Sequence, residues 1–186
     1  MKLLSNVKKE IKRSYLCRLW NTVYEVEEEL NLTKNNLLTT LPTLPREWLV
    51  EFMFKPTNYD TQEWTSIFHM TIGGDIANLG DRNPAVFFHP RHGLRVTSTL
   101  SGEKDFYVDL SAPTTDKWTK IRMSQEMQNG KIRLKFFIDD EEKLNAENSG
   151  DVSLATSFKN VKVYASDPWY PAQPGSIKNL SIKTKR

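Results

Sequence analysis

Apolar and polar residues alternate along most of this chain, and that pattern constrains the fold more than any other feature. In the segment 48–54, Trp48, Val50, Phe52 and Phe54 share one face, because successive side chains of a β-strand point to opposite sides. Further alternations occur at Leu94, Val96 and Ser98; at Phe106, Val108 and Leu110; at Ile121, Met123 and Gln125; and at Ile132, Leu134, Phe136 and Ile138. These segments predict an all-β fold of roughly ten or more short strands.

The dipeptide Asn129-Gly130 separates the last two of these segments. It is a strong signal for a two-residue hairpin, because both central residues of a type I′ turn need a positive φ. Beyond residue 20 the sequence shows no helical pattern longer than two turns. We therefore expect a two-sheet antiparallel jelly-roll sandwich.

The first twenty residues follow a different period, which is typical of an amphipathic helix. Apolar residues recur there at three- and four-residue spacings: Leu4, Val7, Ile11, Tyr15 and Leu19. The segment carries six Lys and Arg against one Glu, a net charge of +5, so the other 166 residues sum to −2 within the total of +3. We expect a basic helical extension at 1–20 and a sandwich domain at 21–186. The helix either packs on the domain or mediates self-association or partner binding.

Charge and composition exclude several classes of protein. A net charge of +3 in 186 residues is too small for a protein built around nucleic-acid phosphates. Cys17 is the single cysteine of the sequence, which excludes an internal disulfide and a zinc site with several thiolates. No apolar run reaches the roughly 18 residues that cross a bilayer, or the roughly 7 that a secretory signal peptide needs.

Signals for catalysis are weak. The three histidines, His69, His89 and His92, form no recognisable catalytic pattern, and the sequence has no G-x-S-x-G motif. Glycoside hydrolysis on a sandwich needs two carboxylates aimed into one cleft. The acidic segment 25–29 instead mixes both faces of a strand, and the segment 139–142 is typical of a charged turn. We therefore expect a protein that is not an enzyme.

An Asp- and Asn-rich loop offers oxygen ligands for calcium. Asp75, Asn78 and Asp81 lie within the Gly-containing segment 73–84, and calcium takes six to eight oxygen ligands. The loop lacks the EF-hand pattern, and Asp and Asn also satisfy turns through Asx hydrogen bonds. A calcium site at these three residues and ordinary turn chemistry are the two interpretations.

Two aromatic and polar segments suit glycan recognition. His89 and Arg91 lie at a strand end, while Trp169 and Tyr170 stand in a proline-bounded loop that cannot be a central strand. Sugar sites combine a flat aromatic ring with groups that bind hydroxyls. The alternative is that Trp169 plugs one end of the sandwich, with its indole N–H bonded to a loop carbonyl. The remaining tryptophans are expected in the core, because most follow the alternation or begin a strand: Trp20, Trp48, Trp64 and Trp118.

The order of several segments resembles a known superfamily. Residues 44–48 enter a strand, WTSIFHMT follows at 64–71, the loop 80–89 comes next, and DKWTKI at 116–121 leads into the hairpin. This order resembles concanavalin A-like domains, in particular laminin-G-like ones. The closing segment 161–170 is similar to the end of lectin-like modules of invertebrate extracellular proteins. The resemblance implies a jelly roll whose relatives mostly bind glycans or partner proteins, often with calcium, and are largely extracellular.

Non-catalytic carbohydrate binding is the leading hypothesis for function. Trp169 and Tyr170 would stack on the sugar of a glycan or glycoprotein, while His89, Arg91 and Asp81 hydrogen-bond to it. The first alternative is a protein-interaction or adhesion module of the laminin-G type. The second is a polysaccharide-degrading enzyme, although the Glu-x-Asp-x-x-Glu signature of sandwich glucanases is absent. Localisation stays open, because the resemblance implies an extracellular protein and the sequence shows no signal peptide.

Overall fold

The computed structural model describes residues 20–149 and 157–185. Within these ranges the chain forms thirteen β-strands and no helix. The strands are β1 (Asn21–Val26), β2 (Leu30–Asn31), β3 (Leu37–Leu44), β4 (Trp48–Pro56), β5 (Thr65–Thr71), β6 (Ala85–His89), β7 (Gly93–Leu100), β8 (Glu103–Leu110), β9 (Thr119–Gln128), β10 (Lys131–Ile138), β11 (Glu141–Asn148), β12 (Phe158–Tyr164) and β13 (Gly175–Thr184). Residues 1–19 of the helix predicted over 1–20 fall outside the described residues.

The strands form two antiparallel sheets. One has seven strands in the order β1-β13-β4-β9-β10-β11, with β2 added beside β13, and the other has six in the order β3-β12-β5-β6-β7-β8. Every strand pairing within the two sheets is antiparallel. The predicted all-β, two-sheet antiparallel sandwich is therefore confirmed.

The core lies between the two sheets. The face of β4 predicted to be buried is fully enclosed, with Trp48, Val50, Phe52 and Phe54 each at 0% exposure. Across the gap, the Phe52 ring meets Phe68 of β5, with ring centroids 5.2 Å apart. Burying a side chain of this size stabilises the fold by about 1.5–3 kcal/mol. The four buried side chains of β4 therefore contribute to the stability of the sandwich core.

Two tight hairpins connect β9, β10 and β11. Asn129 and Gly130 have φ values of 52° and 78°, the positive values that a type I′ turn requires, so the predicted hairpin is confirmed. Asp139 and Asp140 make the second turn, with φ values of 49° and 66°. The Asp139 carboxylate accepts a hydrogen bond from the backbone N–H of Lys120 at 2.8 Å, which fixes the acidic segment as a charged turn.

The outer face of strands β5 to β8, called here the β5–β8 face, points away from the core. On β6 and β7, Val86 and Leu94 belong to the core cluster, so alternation turns Phe87 and Arg95 outward. Two loops adjoin this face: loop 72–84, between β5 and β6, and loop 165–174, between β12 and β13. They meet where Arg82 Nη2 donates to the Tyr170 hydroxyl at 3.2 Å. The β5–β8 face and these two loops position the candidate site.

The tryptophans depart from the expectation that all but Trp169 lie in the core. Trp48 is fully buried, but Trp20, Trp64 and Trp118 are only partly buried. Trp64 and Trp118 immediately precede β5 and β9. They therefore lie outside the strand residues whose alternate side chains point into the core. Trp118 lies between two lysines on the seven-stranded sheet, and Trp64 adjoins the β5–β8 face.

Candidate functional site

A pocket of about 210 Å³ opens on the β5–β8 face. Its walls come from six separate parts of the chain, with these lining residues: Trp64, Ile76, Arg82, Phe87, Arg95, Asp105 and Tyr170. The volume is below the roughly 300–1,000 Å³ of pockets for drug-sized ligands, which favours a single ring or a chain end. A second pocket of about 450 Å³ near the β10–β11 turn has no aromatic residue in its lining.

Arg82 clamps the floor of the pocket and its two loops together. Its Nη1 donates to both carboxylate oxygens of Asp105 at 3.0 and 3.1 Å, and its Nη2 donates to Asp75 at 2.8 Å and to the Tyr170 hydroxyl at 3.2 Å. Its Nε contacts the Asp75 carbonyl and carboxylate oxygens at 3.2 and 3.3 Å. All three nitrogens of the guanidinium are therefore engaged. Burial disfavours the charged form, but Asp75 and Asp105 outweigh it and raise the pKa of Arg82.

Arg95 presents a fixed guanidinium to the same pocket. Its Nε and Nη2 donate to the Asp109 carboxylate at 2.7 and 2.8 Å. The guanidinium carbon lies 4.5 Å from the centre of the Trp64 ring and 3.6 Å from that of Tyr107, so two aromatic rings hold it by cation–π contact. The hydrogen bonds that Arg95 donates to the Asp109 carboxylate raise the pKa of Arg95. Among the described residues its Nη1 has no hydrogen-bond partner, which leaves an ordered donor for a ligand.

Hydrogen-bond acceptors stand beside these donors. The side chains of Asp105 and Asp75 are each 21% exposed, and Asp105 lines the pocket. The Tyr170 hydroxyl donates to Asp75 at 3.0 Å. Burial, together with the Asp75 carboxylate, raises the pKa of Tyr170, so the phenol keeps its proton near neutral pH. The pocket thus offers ordered donors, carboxylate acceptors and aromatic walls in a space for one ring.

A buried ion pair supports the pocket from behind. His69 and Asp167 have fully buried side chains, and His69 Nδ1 lies 2.8 Å from Asp167 Oδ2. His69 Nε2 lies 2.6 Å from the Asp81 carbonyl oxygen. Both ring nitrogens of His69 therefore face hydrogen-bond acceptors, the Asp167 carboxylate on one side and the Asp81 carbonyl on the other. Burial would raise the pKa of Asp167, but the hydrogen bonds from His69 and from the backbone N–H of Tyr170, together with smaller contributions, outweigh it and lower that pKa.

Asp167 also orients the loop that carries two predicted site residues. Its Oδ1 accepts the backbone N–H groups of Trp169 and Tyr170 at 3.0 and 2.9 Å. The Trp169 ring lies against His69, with centroids 5.4 Å apart, and is 38% exposed. Tyr170 lines the pocket. Its ring meets that of Phe87 edge-on at 5.3 Å.

The other predicted ligand-binding residues lie apart from the pocket. The His89 ring contacts Trp64 at 4.5 Å, and its Nδ1 accepts the backbone N–H of Arg91 at 3.0 Å. Burial, followed by the charges of His92 and Arg91, lowers the pKa of His89, which matches its role as an acceptor. The Arg91 side chain is exposed, and Asp81 is buried inside loop 72–84. The structure therefore places Tyr170 in the pocket, His89 behind Trp64, and Arg91 and Asp81 outside its lining.

The three predicted calcium ligands already make hydrogen bonds. Asp81 accepts the backbone N–H of Gly74 at 3.2 Å and that of Asn78 at 2.7 Å, as an Asx turn does. Asp75 is bound to Arg82 and Tyr170. Within the described residues, no three or more His, Cys, Asp or Glu side chains are arranged to hold a metal ion. Calcium at Asp75, Asn78 and Asp81 stays a prediction, and a cation there would displace these hydrogen bonds.

Sequence reasoning missed most of the pocket lining. Arg95 and Asp105 alternate with core residues on β7 and β8, and Phe87 neighbours a core residue on β6. The signal in the sequence was the outward face of the same alternating segments. That face carries Arg95, Asp105 and Tyr107 close together, whereas a face that only contacts solvent would carry scattered charges. Arg82 gave no local signal, because its partners lie 7, 23 and 88 residues away.

Comparison with known proteins bears on the fold. No family model matches the chain, and a search of curated proteins finds no match. The carbohydrate-binding module CBM40 of Ruminococcus gnavus IT-sialidase, bound to α2,6-sialyllactose, superposes with a TM-score of 0.59. Identity is 12%, over 87% of this chain and 92% of that one. The fold is a concanavalin A-like jelly roll. The jelly-roll fold predicted from the sequence is thereby confirmed, while membership of the superfamily and of its laminin-G-like subfamily stays a prediction.

Two further structures share this jelly roll. The same Ruminococcus gnavus module bound to α2,3-sialyllactose gives a TM-score of 0.57 at 14% identity, over 87% of this chain and 92% of that one. A variant of alginate lyase Aly36B in complex with alginate tetrasaccharide gives 0.50 at 12% identity, over 90% of this chain and 86% of that one. Among residues 20–149 and 157–185, no helix is long and apolar enough to span a membrane.

Proposed function

We propose that this protein is a non-catalytic carbohydrate-binding module that takes one sugar residue or a glycan end in the pocket on the β5–β8 face. The observation that carries the proposal is the meeting of Trp64, Arg95 and Asp105 in a pocket of about 210 Å³. A sugar ring needs apolar contact together with convergent donors and acceptors for its hydroxyls. This pocket offers all three, already ordered by neighbouring side chains.

Ordering of the pocket before binding supports a recognition role. Asp109, Trp64 and Tyr107 hold Arg95, while Arg82 holds Asp105. Few side-chain rotations remain to be frozen when a ligand enters, which lowers the entropic cost of binding. The jelly roll is also the scaffold on which the Ruminococcus gnavus module binds sialyllactose, although that likeness extends to the fold alone.

A glycan array tests the proposal with two matched variants. Trp64→Ala removes a pocket wall and one support of Arg95, whereas Trp118→Ala removes a partly buried tryptophan from the other sheet. We expect the wild type and Trp118→Ala to bind the same glycans, with Trp64→Ala about tenfold weaker or more. Wild type that binds no glycan, or a Trp64→Ala variant that binds as the wild type does, would contradict the proposal.

Catalysis is tested on the same protein. Glycoside hydrolysis needs one carboxyl group free to donate a proton and a second to act as base or nucleophile. Asp75 and Asp105 are both bridged by Arg82, so neither is free for that role. We therefore expect no new reducing ends after incubation with β-glucans. Incubation with alginate, followed by the formation of unsaturated sugars, tests elimination separately. Release of either product, lost in Asp105→Asn, would make the protein an enzyme.

A protein-interaction module is the second candidate. Ile72, Ile76, Tyr107 and Trp169, between 38% and 48% exposed, all belong to β8 or to the two loops adjoining the β5–β8 face. Exposed apolar residues that gather on one side are typical of a docking surface. Enzymatic deglycosylation of a glycoprotein that binds separates the two functions. Loss of binding after deglycosylation supports sugar recognition, and unchanged binding supports protein recognition.

A further inference from the structure

The cations that line the pocket are already matched by anions of the protein. The charged lining residues are Arg82, Arg95 and Asp105. Arg82 is bound by Asp75 and Asp105, and Arg95 is bound by Asp109. The two guanidinium groups thus face three carboxylates, which leaves this group of side chains with a net charge of −1.

Arg82 has no capacity left for an acidic ligand. All three of its nitrogens donate to Asp75, Asp105 or Tyr170, and its side chain is 7% exposed. A ligand carboxylate that approached it would have to displace a protein carboxylate of the same charge. The exchange would gain no net ion pair and would break an ordered clamp.

Arg95 keeps N–H donors free on one nitrogen, but its positive charge is already paired with the Asp109 carboxylate. Asp109 takes its Nε and Nη2, and Nη1 is without a partner among the described residues. The Asp105 carboxylate lines the same small pocket, so a ligand anion placed on the free edge of Arg95 would stand close to a like charge. The neighbouring Lys104 directs its Nζ to the Ala77 carbonyl and does not line the pocket.

We propose that the pocket selects neutral, hydroxyl-bearing sugars and rejects those that carry a carboxylate. This inference rests on the proposed carbohydrate binding and names its ligand class. A sugar hydroxyl can accept a hydrogen bond from Arg95 and donate one to Asp105, so it matches a mixed donor and acceptor site. A carboxylate can only accept, and it leaves Asp105 facing an anion.

Matched pairs of sugars test the ligand class on the full wild-type chain. The probes are methyl glucoside against methyl glucuronide, methyl galactoside against methyl galacturonide, methyl mannoside against methyl mannuronide, and lactose against sialyllactose. Within any pair that binds, calorimetry should show the neutral member bound about tenfold more tightly or better. Asp105→Asn should narrow that gap, because the amide keeps a hydrogen-bonding group and removes the charge. A neutral preference in wild type supports the inference even where that variant fails to fold.

Two results would contradict the inference, and they differ in what they imply for carbohydrate binding itself. If the acidic member of a pair binds equally or more tightly, and Ile76→Ala weakens that binding, the ligand class is wrong while carbohydrate binding at this pocket stands. If no member of any pair binds wild type, and the glycan array is also blank, carbohydrate binding fails and the ligand class fails with it.

Discussion

His69 and Asp167 form a fully buried ion pair, with 2.8 Å between Nδ1 and Oδ2, and it joins the sheet to the loop that completes the pocket. His69 belongs to β5, which runs through the middle of the six-stranded sheet, and Asp167 lies in loop 165–174. Because Asp167 also accepts two backbone N–H groups of that loop, the pair fixes where Tyr170 stands. The chemistry of one buried pair thereby sets the geometry of a surface site.

Removing one charge of this pair should destabilise the protein strongly. Asp167→Asn removes the buried carboxylate that His69 Nδ1 contacts, and breaking a buried pair of this kind typically costs about 3–5 kcal/mol. Urea unfolding measures the change in the free energy of unfolding. Glu147→Gln is the control, because it breaks an exposed pair with Lys131 of a kind worth about 0–1 kcal/mol. Equal losses in the two variants would contradict the structural role of Asp167.

The same carboxylate gives stability a dependence on pH. Its folded-state pKa is lowered, mainly by His69 acting against burial, so its contribution is fully present above the unfolded value of about 3.9. The contribution is lost as the pH falls through the lower, folded-state pKa. We expect wild type to lose stability more steeply than Asp167→Asn below about pH 4. Parallel curves of unfolding free energy against pH would count against this assignment.

Arg82 should resist even its most conservative replacement. Lysine cannot reproduce the planar, three-nitrogen guanidinium that binds Asp75, Asp105 and Tyr170. Arg82→Lys should lower the free energy of unfolding by about 2 kcal/mol and weaken glycan binding. Arg122→Lys is the matched control on the other sheet, where Arg122 is 30% exposed beside Asp140. We expect that change to stay within about 0.5 kcal/mol. A harmless Arg82→Lys would mean that the clamp is not needed.

Substitution of Ile76 should change ligand affinity without changing the stability of the protein. It lines the pocket and is 47% exposed, so Ile76→Ala removes apolar ligand contact and little of the packing of the protein. We expect affinity for the bound glycan to fall about fivefold with an unchanged melting temperature. Val23→Ala is the control, because Val23 is 43% exposed on β1 of the other sheet. Equal affinities of the two variants would place the ligand elsewhere.

The sequence predicted the features that depend on local pattern. Asn129-Gly130 specified its hairpin and the alternation along 48–54 specified a core face, because both signals lie within a few neighbouring residues. The pocket depends instead on long-range assembly. Phe87 and Phe88 are adjacent phenylalanines, and only the strand register turns Phe88 into the core and Phe87 toward the site. No local sequence pattern around Arg82 predicts its hydrogen bonds to Asp105 and Tyr170. The extension at 1–20 and the domain boundary at residue 21 stay predictions.

Mapping of the bound glycan on isotopically labelled protein by NMR tests the central claim most directly. Titration with a glycan selected on the array should shift the amide signals of pocket residues, first those of Ile76, Arg95 and Asp105. Signals from the second pocket, around Pro113 and Lys143, should not move. Shifts confined to that second pocket or to the outer face of the seven-stranded sheet would contradict carbohydrate binding at the β5–β8 face.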